Sequence, residues 1–239
     1  MRAYNRQDGV RRGNGPPRVA IVRFPGTTCE RDVAYALSLL GAEPITLGSD
    51  AEALPDVDAV VLPGGFAHGD RPRPGAVAAE TTVMRAVAAF AGTGGAVVGI
   101  CNGFQVLCEA GLLPGRLVGN ASGRFVCRDV RMRVEGRPSV ITQGLPATVR
   151  LPVAHGAGRW EADPEVRTAV EARGGIVLRY VGAPPAGCDV AGVCNEAGNV
   201  VGLMPHPERH VEAALGGTDG RLLLASLLGA RPRPGAAAS

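Results

Sequence analysis

One short stretch restricts this chain to a small set of folds. Gly99-Ile100-Cys101-Asn102-Gly103-Phe104-Gln105 ends an apolar, β-branched run, Ala96 to Ile100, and opens a helical pattern, Phe104 to Ala110. A strand that is apolar throughout belongs inside a sheet covered on both faces, and a helix starting at its carboxyl end makes that sheet α/β. Glycine stands two residues before and two after the cysteine. This is the form of a nucleophile elbow, in which glycines permit a tight turn that exposes one side chain at the strand end. The amides and positive dipole end of the next helix point back at the sulfur and favour negative charge on it. Cys101 is therefore expected to be a covalent nucleophile. A lone cysteine is more often a core residue, and that is the reading for Cys29, Cys108, Cys127, Cys188 and Cys194.

The base has to come from elsewhere. Val201 to Met204 is a short apolar run that ends in Pro205-His206-Pro207-Glu208-Arg209. The prolines restrict the backbone on both sides of His206, and the Glu208 carboxylate lies within reach of its ring. Thiol, imidazole and carboxylate then follow the nucleophile–base–orienter logic. A third run, Asp58 to Leu62, ends in Pro63-Gly64-Gly65-Phe66. Glycine there lets backbone N–H groups approach a ligand, so the amides of Gly65 and Asn102 are candidate oxyanion donors, each worth roughly 3 kcal/mol. His68 and His210 read as exposed polar groups. Asp70 and Arg73 read as a surface ion pair.

The same alternation of strand and helix runs through the first half. Strands are expected at Arg18–Phe24, Ile45–Leu47 and Asp58–Leu62, and helices at Glu30–Leu40 and Val77–Ala91. Beyond Gly115 the pattern becomes β-rich, with Val126–Val134, Thr148–Val153 and Ile176–Val181, before Val200–Met204 rejoins the sheet and Asp219–Leu228 forms a last helix. A polar tail at 1–17 and a Pro/Ala-rich tail at 230–239 are expected to be disordered and frayed, leaving one domain over 18–229. The net charge of +3 is too small to argue for nucleic acid, and no apolar stretch is long enough for a membrane span. The six cysteines form no CxxC pair and no metal-spaced cluster, so free thiols, a cytoplasmic setting and no metal are expected.

Together these segments resemble the class I (triad) glutamine amidotransferases. The resemblance narrows to the glutaminase subunits of phosphoribosylformylglycinamidine synthase on VVLPGGFAHGD (60–70), GICNGFQVLCE (99–109), GLLPG (111–115), PVAHGAGR (152–159) and GNVVGLMPHPER (198–209). It implies a flavodoxin-like three-layer sandwich, with a central, mostly parallel sheet and an antiparallel excursion. It implies Cys101, His206 and Glu208 as the triad, and Gly64, Gly65, Asn102 and Gln105 along the glutamine site. His155 is divided between that pocket and a partner face, and Asp70 and Arg73 move to the mouth of the site. The implied reaction is release of ammonia from glutamine for use in purine biosynthesis. Implied partners are a PurL-type synthetase subunit and a small PurS-type subunit. No cofactor is expected in this chain. ATP and Mg belong on the synthetase, because this sequence has no GxxxxGK[ST] loop and no lysine.

The family pattern is broken at Thr28, His68, Arg71, Pro72, Ala157, Ala186 and Cys188. These departures raise the alternative of a paralogue that serves another synthetase in a specialised, purine-like pathway. Restored purine prototrophy with a housekeeping synthetase would exclude an altered partner surface. Two further alternatives are a Cys-His hydrolase of the same architecture and a non-catalytic subunit that has kept the fold.

Overall fold

The computed structural model describes residues 15–229, so the tails expected at 1–17 and 230–239 lie outside it apart from Gly15 to Pro17. In chain order the elements are β1 (Arg18–Arg23), α1 (Glu30–Leu39), β2 (Glu43–Gly48), β3 (Ala59–Leu62), α2 (Ala76–Ala79), α3 (Thr82–Gly92), β4 (Ala96–Ile100) and α4 (Asn102–Glu109). They continue with β5 (Arg116–Val118), β6 (Val126–Val134), β7 (Thr148–His155), β8 (Arg159–Glu161), α5 (Pro164–Ala172), β9 (Ile176–Tyr180), β10 (Val190–Cys194), β11 (Val200–Leu203) and α6 (Asp219–Gly229).

The main sheet has nine strands in the order β2-β1-β3-β4-β11-β10-β9-β6-β7. From β2 to β11 every pairing is parallel, and from β11 to β7 every pairing is antiparallel. The parallel part has the flavodoxin-like order. Strands β3, β4 and β11 are buried at every residue, which is why they read as unbroken apolar runs, whereas β6 alternates between solvent and core from Asp129 to Arg133. The step from β1 to β2 runs opposite to the steps from β3 to β4 and beyond. Right-handed crossovers then place α1 on one face, beside α6, and α3 and α4 on the other. The antiparallel part curls back on itself, because the amide of His206, just past β11, donates to the carbonyl of Pro152 in β7 at 2.8 Å.

Some local expectations needed correction. The single helix at 77–91 is two, broken at Glu80–Thr81. Thr81 is extended (φ −71°, ψ 159°), and its hydroxyl donates to the carbonyl of Ala78 at 2.7 Å, taking an acceptor from the helix. Helix α5 was not expected, although Asp163-Pro164 carries an N-cap residue followed by proline in the first turn. The short ribbon of β5 and β8 and strand β10 were also missed. His210 is 2% exposed and packs its ring against the Arg150 carbonyl and Asp129, so it is no surface histidine. Among the described residues, no helix is long and apolar enough to cross a membrane.

Candidate active site

The carboxyl ends of β1, β3, β4 and β11, neighbours in the sheet, converge on one place. They lead into Cys29, the Gly64-Gly65 turn, Cys101 and His206 respectively. Ligands bind at such strand ends in open α/β sheets because loops and helix N-termini gather there.

Cys101 sits between β4 and α4 at φ 50° and ψ −105°, a strained conformation for a residue with a Cβ. Cys101 itself takes the positive φ, as the nucleophile of such an elbow does, and Gly99 and Gly103 do not. Gly99 and Gly103 act by close packing instead. A Cβ on Gly103 would lie 2.0 Å from the Leu62 carbonyl oxygen of β3, and one on Gly99 would lie 2.5 Å from the Gly103 carbonyl oxygen. Helix α4 thus rests on the sheet at backbone distance. The Cys101 thiol points toward the Ala154 carbonyl, at 3.7 Å.

His206 and Glu208 are each 1% exposed. Nδ1 of His206 donates to Oε1 of Glu208 at 2.7 Å, which fixes the ring and its tautomer. Burial opposes a charged imidazole, but the Glu208 charge and the Cys101 sulfur beside the ring outweigh it, and the proton affinity of His206 is raised well above the ordinary histidine value. Glu208→Gln should therefore lower any turnover that uses Cys101 as its nucleophile by about 100-fold or more at saturating substrate, since an amide neither offsets the imidazolium charge nor enforces the tautomer. Steady-state rates on the purified variant check this, and an unchanged rate would mean that Glu208 does not act through His206.

Gly64 admits the imidazole: a Cβ there would stand 2.8 Å from His206 Cε1, 3.2 Å from Cys29 Sγ and 3.5 Å from Cys101 Cβ. Gly65 has φ +153°, and its Cβ would strike Gly26 and Thr27 at 2.7 Å. Asn102 opens α4, so its amide has no intrahelical acceptor and remains available to an oxyanion. Its side chain is occupied. Oδ1 accepts from the Ala67 amide at 2.9 Å, and Nδ2 donates to Gln105 Oε1 at 2.8 Å and to Asp70 Oδ1 at 3.2 Å. Gln105 Nε2 in turn donates to the Ala157 carbonyl at 2.7 Å. Asp70 therefore belongs to this network rather than to an ion pair with Arg73, which bonds Glu109 with Nε at 2.8 Å. Burial raises the proton affinity of Asp70, and the Asn102 amide partly offsets it. His68 is half-buried, with its ring 6.4 Å from that of Phe24.

His155 ends β7 and is 3% exposed, with Nδ1 3.0 Å from Asn120 Oδ1, which also accepts from the Gly158 amide at 3.1 Å. Burial and then repulsion from the His206 charge push its pKa down to about 4, so it is neutral near pH 7. Its unfolded form titrates near 6.5. Between those values the unfolded chain holds more protons than the folded one, so stability falls as pH drops from about 6.5 to 4, by at most about 3 kcal/mol. Denaturation curves across that range should show a shallower slope for His155→Gln; an equal slope would place the titration elsewhere.

Cys29 is buried, as the sequence suggests, and it also borders the groups described above. It stands in this site, 2% exposed, with its sulfur accepting from Arg209 Nη2 at 3.2 Å. Thr28, one of the departures from the family pattern, has its hydroxyl 3.7 Å from the same sulfur. A usable signal is present in the sequence: Cys29 also lies in a turn, Pro25-Gly26-Thr27-Thr28, between a strand and a helix. All six cysteines are free.

A family profile described as the CobB/CobQ-like glutamine amidotransferase domain matches residues 16–216. The phosphoribosylformylglycinamidine synthase subunit PurQ of Frankia casuarinae is 47% identical over 220 residues, covering 90% of this chain and 94% of that protein. Its namesake in Rubrobacter xylanophilus is 50% identical over 214 residues, covering 88% and 97%. A solved structure, PurLQS from Thermotoga maritima, superimposes with a TM-score of 0.82 at 43% identity, covering 90% of this chain and 98% of the matched one.

Proposed function

This chain belongs to the CobB/CobQ-like glutamine amidotransferase domain family, and we propose that it is the ammonia-supplying glutaminase subunit of a phosphoribosylformylglycinamidine synthase, acting in purine biosynthesis. The observation that carries the reaction is the strained Cys101 beside an imidazole held by a buried carboxylate at 2.7 Å. His206 takes the thiol proton as Cys101 attacks the side-chain carboxamide of glutamine. The amides of Gly65 and Asn102 receive the oxyanion. His206 returns the proton to the departing nitrogen, ammonia leaves, and a γ-glutamyl thioester remains. Water, activated by the same imidazole, releases glutamate.

Gly64 makes room for the imidazole in this scheme. Gln105 and the neutral His155 line the glutamine pocket. The Asn102–Gln105–Ala157 network holds the pocket wall before substrate arrives. The ammonia acceptor and its ATP and Mg belong to a PurL-type subunit, with a PurS-type subunit completing the assembly. A chain whose chemistry needs a reduced sulfur fits the cytoplasm. The relatives favour neither a specialised paralogue nor a non-catalytic subunit.

Glutamate release by the chain assembled with a synthetase tests the reading. Glutamate should appear with formylglycinamidine product, and less should appear from the chain alone, because partner binding orders the oxyanion donors. An assembly that works on free ammonia but never consumes glutamine would overturn it.

A further inference from the structure

The hydrolysis needs one thiol, yet a second buried thiol stands against the same imidazole. We propose that Cys29, Cys101 and His206 form a binding site for a thiophilic divalent cation, with Zn2+ the best match, and that its occupancy blocks glutamine hydrolysis. The proposal rests on the reading of Cys101 as nucleophile only for its inhibitory consequence.

Three observations support the site. Cys29 Sγ, a ring nitrogen of His206 and a carboxylate oxygen of Glu208 all lie within 4.8 Å of one another and are buried. A Cβ on Gly64 would touch Cys29 Sγ, His206 Cε1 and Cys101 Cβ at 3.2, 2.8 and 3.5 Å, so the second thiol and the nucleophile border the same small space. Nε2 of His206, on a residue 1% exposed, has no hydrogen-bond partner among the described residues.

The donor chemistry is that of zinc. Two sulfurs and one imidazole nitrogen, with a fourth position left to water, form a known tetrahedral ligand set. Sulfur donors disfavour Mg and Ca. The groups behind the donors are also arranged for a metal. Glu208 accepts from Nδ1 of His206, leaving Nε2 as the ligand atom, which gives the carboxylate–histidine–metal order. Arg209 donates to Cys29 Sγ at 3.2 Å, a contact that fixes the sulfur and stabilises its negative charge. Two thiolates balance the cation, and Arg209 balances Glu208. Bond lengths of about 2.0–2.3 Å require Cys29 and His206, already within 4.8 Å of each other, to close in on the ion and the Cys101 side chain to swing toward it.

Co2+ titration of the full chain tests this without turnover. The experiment uses reducing, anaerobic conditions and a parent in which Cys127 and Cys188, the more exposed thiols, are serine. Expected are tetrahedral d–d bands in the visible and a thiolate-to-cobalt charge-transfer band in the near ultraviolet, both bleached by Zn2+. Cys29→Ser and Cys101→Ser should each halve the charge-transfer band. Cys29→Ser should weaken Zn2+ binding by about 100-fold or more and shift zinc inhibition of the remaining glutamine hydrolysis to correspondingly higher Zn2+. Cys29→Ala, checked for folding by circular dichroism, serves as a second variant. A spectrum without charge transfer, or equal Zn2+ affinity in the folded Cys29 variants, overturns the site. A normal cobalt spectrum from a complex that never hydrolyses glutamine would leave the site standing and overturn the proposed function.

Discussion

Cys101→Ala is expected to lower glutamine hydrolysis at least ten-thousand-fold, about the scale seen when the nucleophile of a catalytic triad is removed, while the chain stays folded. The loss is this large because neither the imidazole nor the oxyanion amides can form the thioester themselves. Fold retention follows from the location: Cys101 caps α4, and its removal leaves the backbone contacts of β4 with β3 and β11 in place. A stability comparison sharpens the test. The φ of 50° at Cys101 strains alanine as it strains cysteine, whereas glycine accepts it. Cys101→Gly should therefore melt above Cys101→Ala, by about 1 kcal/mol at the transition. Equal melting would mean that the elbow holds no backbone strain. Residual hydrolysis above a thousandth of the parent rate would mean that another group performs the attack.

The second large effect is structural and lies two residues on. Gly103→Ala places a methyl group 2.0 Å from the Leu62 carbonyl oxygen and 2.6 Å from its carbon. The obstacle is strand backbone, which cannot rotate away as a side chain can. Helix α4 has to lift from β3, the strand that carries the Gly64-Gly65 turn. Overpacking of this kind costs about 3 kcal/mol, which for a chain of this size lowers the melting temperature by roughly 6–12 °C. The lift also separates Cys101 from the oxyanion amide of Gly65, and displacement near 1 Å costs about 100-fold in rate. Gly92→Ala is the control. Gly92 ends α3, and a Cβ added there would meet nothing within 4 Å. Alanine there should leave the rate alone and add up to about 1 kcal/mol of stability. If both alanines behaved alike, close approach would not be what the elbow glycines provide.

Much of the parallel half was legible in the sequence because its strands are covered on both faces. Ala59–Leu62, Ala96–Ile100 and Val200–Leu203 show as apolar runs bounded by turns, and each leads directly into a residue placed in the site. What was not legible depends on neighbours that periodicity does not encode. Cys29 enters the site only because β1 lies next to β3, so that the end of the first strand opens beside the Gly64 turn. Arg73 turns from Asp70 to Glu109 because α4 brings Glu109 within 2.8 Å. The roles of Gly99 and Gly103 were hidden for a related reason: a glycine between strand and helix serves a turn or a close contact equally well until the opposing backbone is known. The break at Thr81 lies inside an alanine-rich stretch whose apolar spacing continues across it.

The central claim is that one sulfur, Cys101, attacks the glutamine carboxamide. The most direct measurement is labelling of the assembled protein with a diazoketone analogue of glutamine, followed by peptide mass spectrometry. A single adduct on the peptide containing Cys101, prevented by excess glutamine and absent from His206→Asn, is the predicted result. An adduct on Cys29, or labelling of Cys101 that glutamine does not prevent, would contradict it.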